Sequence, residues 1–181
     1  SPEHGFRGTA REGEHVASSV DEKTGIPILS LYDGKSYRPS KEAMATFDVL
    51  ITDIQDVGLR FYTYYITMFR LMDACAHEGK QFIVFDRPNP NGYYVDGPIL
   101  DMKHKSGVGA LPIPVVHGMT LGELALMING ENWLYDSLQV DLTVIPCKNY
   151  TLQTLYRLPV APSPNLRNML SIYLYPAVCL F

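Results

Sequence analysis

Two short apolar runs, each closed by an aspartate, bracket a longer stretch in which apolar side chains return every three or four residues. The runs are 48–54 (Asp-Val-Leu-Ile-Thr-Asp-Ile) and 81–86 (Gln-Phe-Ile-Val-Phe-Asp). Near-continuous apolar runs of this length predict parallel strands buried on both faces. Between them Tyr65, Met68, Phe69, Met72 and Ala76 keep helical spacing, so a helix is expected over 62–78, stopped by Gly79. Strand, helix and strand in that order make a βαβ unit. Downstream, Thr120 with Glu123 three residues on forms a capping box that opens a helix over 120–129, and 140–146 predicts a further strand. Upstream, 27–32 predicts a short strand, and Ser40 is placed to cap a brief helix through Ala45. The pattern is that of an α/β domain with a parallel sheet.

After Tyr150 the periodicity fades, and residues 158–168 carry three prolines. A domain boundary is expected there, with one domain over 1–150 and the start of a second, smaller one over 151–181. The chain opens on a dense polar motif and stops in an apolar run, so both ends are expected to be cut, the first domain lacking its first strand–helix unit.

Composition narrows the function classes. Hydrophobic residues make up 46% of the 181, and the net charge is −4. That content supports a buried core and argues against disorder. There is no run of Lys and Arg, so the electrostatic footprint of a nucleic-acid binder is missing. No stretch reaches the ~18 apolar residues of a membrane span. Cys75, Cys147 and Cys179 are widely spaced and form no C-x-x-C pair, which points away from a zinc knuckle or a disulfide scaffold.

The candidate chemistry clusters where strands end. In a parallel sheet, ligands bind beyond the carboxyl ends of the strands. Ile54-Gln55-Asp56-Val57-Gly58-Leu59-Arg60-Phe61-Tyr62-Thr63-Tyr64 follows one predicted strand, and Arg87-Pro88-Asn89-Pro90-Asn91-Gly92 follows another. Ser1-Pro2-Glu3-His4-Gly5-Phe6-Arg7-Gly8 has the same character, and Val116-His117-Gly118-Met119 is a fourth. Each has a structural alternative. Asp53 and Asp86 can cap a helix or pair with an arginine, His117 can be a hydrogen-bonded loop residue, and the aromatic run 61–65 is partly core. Taken together, the carboxylates, imidazole, guanidiniums and amides at one rim suit a polar, hydroxyl-rich ligand. Two carboxyl groups in different environments serve acid–base work.

The motifs Ser-Pro-Glu-His-Gly-Phe-Arg-Gly (1–8), Asp-Ile-Gln-Asp-Val-Gly-Leu-Arg-Phe-Tyr-Thr-Tyr (53–64) and Asp-Arg-Pro-Asn-Pro-Asn-Gly (86–92) are long and unusual. With Val-Asp-Gly-Pro (95–98), Pro-Ile-Pro-Val-Val-His-Gly-Met-Thr-Leu-Gly-Glu (112–123) and Pro-Ser-Pro-Asn-Leu (162–166), they span nearly the whole chain. In them the sequence resembles the exo-β-N-acetylmuramidases of the NamZ type, a bacterial family formerly a domain of unknown function. The resemblance implies a Rossmann-like domain followed by a smaller one, with the active site in the cleft between them. It implies a glycoside hydrolase that releases N-acetylmuramic acid from the non-reducing end of peptidoglycan fragments, in the periplasm or outside the cell, with no cofactor. The family's catalytic glutamate corresponds to Glu3.

On that reading Glu3 is the expected general acid, oriented by His4 and Tyr62. Asp53 or Asp56 is the expected base or nucleophile, unless the sugar's own acetamido group attacks. Arg60 or Arg87 is expected to hold the lactyl carboxylate in a bidentate pair. Asn89, Asn91 and His117 are expected to bind hydroxyls or the acetamido carbonyl, with Arg7, Gln55, Tyr64 and Asp86 as further substrate contacts. Three rival readings stand beside it. A nucleotide-dependent oxidoreductase needs a Gly-rich turn after a strand, and Gly107-Val108-Gly109 is followed by Ala-Leu-Pro instead. A metal-dependent hydrolase using Glu3, His4, Asp53 and His117 lacks any close ligand pair. A non-catalytic sugar-binding module predicts binding without turnover.

Overall fold

The computed structural model describes residues 17–31 and 38–178. Its centre is a sheet of three parallel strands in the order β3-β4-β5. These are β3 (Val49–Thr52), β4 (Gln81–Phe85) and β5 (Asp141–Ile145), with α2 (Tyr64–His77) and α3 (Leu121–Gly130) as the crossovers. The register sets Leu50 beside Phe82 and Leu142, and Thr52 beside Val84 and Val144. That face packs against Tyr65, Met68, Phe69 and Met72 of α2 and Leu121, Leu124 and Ile128 of α3, which together form the main core.

The opposite face alternates with it, as the two-residue period of a strand requires. There Val49 and Ile51 are 40% and 53% exposed, and Phe85 and Ile145 are exposed too. The expectation of strands covered on both faces is therefore corrected: the described helices lie on one face only.

The predicted helices form close to their expected bounds because their signals are local. Thr120 Oγ1 accepts from the Glu123 N–H at 3.2 Å, and Glu123 Oε2 accepts from the Thr120 N–H at 2.9 Å. Such a cap stabilises a helix by about 1 kcal/mol. The early segment differs from expectation. Instead of a strand over 27–32, β2 (Pro27–Ile28) pairs antiparallel with β1 (Ser19–Val20), outside the parallel sheet. Ser40 caps α1 (Lys41–Met44) as expected.

A last helix, α4 (Met169–Val178), carries no predicted signal and has Pro176 inside it. Its Ile172 joins Leu166 in a second core cluster with Val57, Leu59, Tyr62, Tyr64 and Val116. The segment after Tyr150 thus packs on the loops that leave the carboxyl ends of β3 and β4. No helix among the described residues is long and apolar enough to cross a membrane.

Candidate functional site

Both central strands end on an acid, and the two acids are used differently. Asp86, next after β4, serves α3. Its Oδ1 accepts from the Gly122 N–H at 2.8 Å and its Oδ2 from the Thr120 hydroxyl at 2.7 Å. A Cβ at Gly122 would come within 2.7 Å of the Asp86 Cγ, so the helix start is seated directly on the carboxylate. A negative charge at a helix N-terminus satisfies orphan N–H groups and complements the dipole. Asp86, expected to contact substrate, is committed to this cap. Asp53, next after β3, is half exposed and accepts from Arg87 Nε at 2.6 Å.

Asp56 lies three residues further on and is 6% exposed. Its Oδ1 accepts from the Gly58 N–H at 2.7 Å. Its Oδ2 has no partner among the described residues. Burial pushes its carboxyl up to about 7, against the lowering effect of the Gly58 and Val57 N–H groups. Loss of hydration disfavours the charged form, and no cation among the described residues offsets it.

The loop holding Asp56 is tied down from several directions. Gln55 Nε2 donates to the carbonyls of Asp56 and Pro88 at 2.7 and 2.9 Å. Asn91 Nδ2 donates to Val57 O at 2.9 Å, and the His117 N–H donates to Gly58 O at 3.2 Å. Gly58 itself is left-handed (φ 78°), and a Cβ there would collide with the Asn89 amide. Only glycine meets both demands without strain. Asn89 in turn donates from Nδ2 to Met119 O and accepts the Asn91 N–H at Oδ1, both at 2.8 Å. Tyr150 Oη accepts from the Asn89 N–H and donates to the Asn89 carbonyl.

The side chains expected to touch sugar hydroxyls therefore divide. Gln55 through Nε2, and Asn89 through both amide atoms, brace loops. Arg60 does the same, its Nη1 donating to Pro98 O and Ile113 O at 2.7 Å each. Tyr62 and Tyr64, expected to face a ligand, are buried and direct their hydroxyls at Pro162 O, at 2.9 and 3.5 Å. Asn91 Oδ1 and His117 Nε2 are buried without a partner among the described residues. In His117, Nδ1 accepts from the Met119 N–H at 3.2 Å, so the ring proton sits on Nε2. Burial draws its pKa down to about 4, which keeps the ring neutral.

Thr52 Oγ1 of β3, and Asp56 Oδ2, Asn91 Oδ1 and His117 Nε2 on the loops after the strands, thus keep unmet hydrogen-bonding capacity among the described residues. A buried unmet polar atom costs about 1–3 kcal/mol, and natural folds keep few of them. A donor that stays neutral, two acceptors and an acid poised near neutrality suit hydroxyl and acetamido groups and the transfer of a proton. Glu3, His4 and Arg7 lie outside the described residues. The contact of Tyr150 with this rim carried no sequence signal, and Pro162 stood out only as the first residue of the motif 162–166.

Residues 1–170 match the family described as "Exo-beta-N-acetylmuramidase NamZ, N-terminal". The chain is 48% identical to the peptidoglycan β-N-acetylmuramidase NamZ of Bacillus subtilis, over 97% of this chain and 42% of that protein. Two crystal structures of DUF1343 family proteins from Bacteroides fragilis superpose on it, each with a TM-score of 0.89. One is 66% identical and the other 37%, over 100% and 99% of this chain. The chain spans 47% and 45% of those two, so it accounts for just under half the length of each of these relatives.

Proposed function

The chain belongs to the family of the N-terminal part of the exo-β-N-acetylmuramidase NamZ, and from that premise we propose that the protein is a glycoside hydrolase. Its substrates are peptidoglycan fragments that carry N-acetylmuramic acid at the non-reducing end, and it acts outside the cytoplasm, where such fragments arise. The family match and the likeness to the Bacillus subtilis enzyme support this reading.

The observation that carries the mechanism is the contrast between Asp53 and Asp56. Asp53 is engaged with Arg87. Asp56 is buried, has no partner for Oδ2 among the described residues, and is poised at about 7. A general base works best when its pKa lies near the working pH. Asp56 is accordingly the base that activates the attacking water, through Oδ2. Glu3 is the general acid that protonates the glycosidic oxygen. His117 Nε2–H and Asn91 Oδ1 supply a donor and an acceptor for the sugar, and their burial makes each bond selective, because a mismatched substrate leaves them unpaired.

The test is turnover of a chromogenic β-N-acetylmuramide by the full-length protein. The wild type is expected to release the chromophore and Glu3→Gln to lose at least about 100-fold in kcat. Wild-type turnover of the glucosaminide but not the muramide would overturn the substrate assignment. Full activity of Glu3→Gln would overturn the acid role.

A further inference from the structure

We propose that Arg87 is the residue that reads the lactyl carboxylate of the substrate, with Asp53 as its positioning residue. This inference rests on the muramidase reading and adds the origin of its specificity. Muramic acid differs from glucosamine by an ether-linked lactyl group bearing a carboxylate, so preference for it requires a cation at the sugar site.

Among the described arginines, two leave the carboxyl ends of the central strands, and the structure separates them. Arg60 has its Nη1 drawn onto two backbone carbonyls, Pro98 O and Ile113 O, both at 2.7 Å. These bonds hold the guanidinium as a clasp on the loop that returns through Val115 and Val116, whose carbonyl and bridge also fix the Arg60 and Leu59 backbone. Among the described residues the Arg87 guanidinium makes one hydrogen bond, from Nε to Asp53 Oδ1 at 2.6 Å. Its two terminal nitrogens have no hydrogen-bond acceptor among the described residues, and its side chain is 44% exposed.

A guanidinium gripped at Nε presents Nη1 and Nη2 as a fork, and a fork of two parallel N–H groups matches a carboxylate. The neighbouring acid does not compete for that fork. Asp86 accepts the Arg87 backbone N–H and the α3 start, and both of its oxygens are occupied there. Asp53 and Arg87 follow adjacent strands paired in register from Val49 beside Gln81 to Thr52 beside Val84, so the sheet fixes the spacing between them. Two further arginines have different settings. Arg38 lies against the buried Asp73 of α2, and Arg167 Nε donates to Pro164 O.

The experiment compares two chromogenic β-glycosides on the full-length protein: the N-acetylmuramide, and the same compound with its lactyl group as the neutral methyl ester. For Arg87→Gln, kcat/KM is expected to fall about 100-fold on the acid, mostly through KM, and less than about 3-fold on the ester. Arg87→Lys keeps the charge without the fork and is expected to lose about 10-fold on the acid only. Because the acid-to-ester ratio is internal to each variant, the Lys variant decides the matter if the Gln variant does not fold. Asp53→Ala is expected to raise KM on the acid several-fold, and Asp53→Asn, which keeps an oxygen for Nε, to restore it. Equal losses on both glycosides, or none on either, overturn the assignment of Arg87 while leaving the muramidase reading intact. A wild type that turns over neither glycoside overturns that reading and this inference with it.

Discussion

Two aspartates are buried at opposite ends of α2, and their surroundings could hardly differ more. Asp73, in the last turns of the helix, is fully buried. Its Oδ2 meets Arg38 Nη2 at 2.5 Å and lies 3.7 Å from His77 Nδ1, while its Oδ1 accepts the Tyr135 N–H at 2.9 Å. Arg38 lies 5.0 Å from the centre of the Tyr135 ring, so the ion pair is clasped between two loops. Asp56, before the start of α2, has a single backbone N–H on one oxygen and nothing among the described residues on the other. One carboxylate is surrounded by partners that join three chain segments. The other is buried with no counter-charge among the described residues and is thereby brought to the protonation equilibrium that acid–base chemistry needs. Burial alone does not mark a reactive acid; burial without a cation does.

The largest effect expected from this contrast is on pH-dependent stability. The folded Asp56 holds its proton up to about 7, against an ordinary 3.8. As pH rises from about 4 the unfolded Asp56 ionises while the folded one does not, so its contribution to stability falls until about 7 and then levels. The ceiling is roughly 4 kcal/mol, at ~1.4 kcal/mol for each pH unit. Asp56→Asn keeps the acceptor for Gly58 and is expected to change the slope of stability against pH by about 1.4 kcal/mol per unit, toward stability that rises with pH, in denaturant titrations between pH 4 and 7. A slope unchanged in the variant breaks the comparison.

His117 acts in the opposite direction. The unfolded ring takes a proton near 6.5, whereas the folded one waits until about 4. Stability is therefore lost as pH falls between those values, by up to roughly 3 kcal/mol. His117→Gln is expected to steepen the stability gain on acidification, because the Asp56 contribution then stands alone.

For Asp73→Ala the expectation is a loss of about 2–3 kcal/mol at pH 7, below the ~3–5 typical of a fully buried pair because Arg38 is half exposed. Its kcat/KM, measured on folded protein, is expected to stay within a few-fold of wild type. A selective loss of turnover would erase the distinction between the two acids. Smallest of all, Thr120→Ala is expected to cost about 1 kcal/mol, through the cap that Thr120 shares with Asp86 and Glu123.

What the sequence made legible follows from the range over which each signal acts. The runs 48–54 and 81–86, the spacing of Tyr65 to Ala76 and the Thr120–Glu123 box are local, and β3, β4, α2 and α3 form where they indicate. Residues 27–32 look like a strand by composition, but only Pro27 and Ile28 pair, Pro27 with Val20 seven residues back. For α4, an internal proline and β-branched and aromatic side chains argue against a helix, and packing of Ile172 against Val57, Leu59 and Val116 helps overrule them.

The rim was legible as a place, since polar clusters after strands can be read directly. The tasks within it were not. Arg60 grips carbonyls 38 and 53 residues away, Asn91 reaches back 34 residues to Val57, and Arg87 meets Asp53 across the same separation. Which polar side chain braces a loop and which stays free is settled by such distant partners. Asp73 drew no notice for the same reason, because its counter-charge, Arg38, comes from before β3.

The pH profile of kcat/KM on the chromogenic β-N-acetylmuramide, for the wild type and Asp56→Asn, tests the central claim most directly. For the wild type we predict a fall of tenfold per pH unit on the acid side of about 7, where Asp56 takes up its proton. In Asp56→Asn the rate is predicted to drop about 10²- to 10⁴-fold and that acid limb to disappear. An Asn variant that keeps the wild-type rate and the same acid limb would contradict the account.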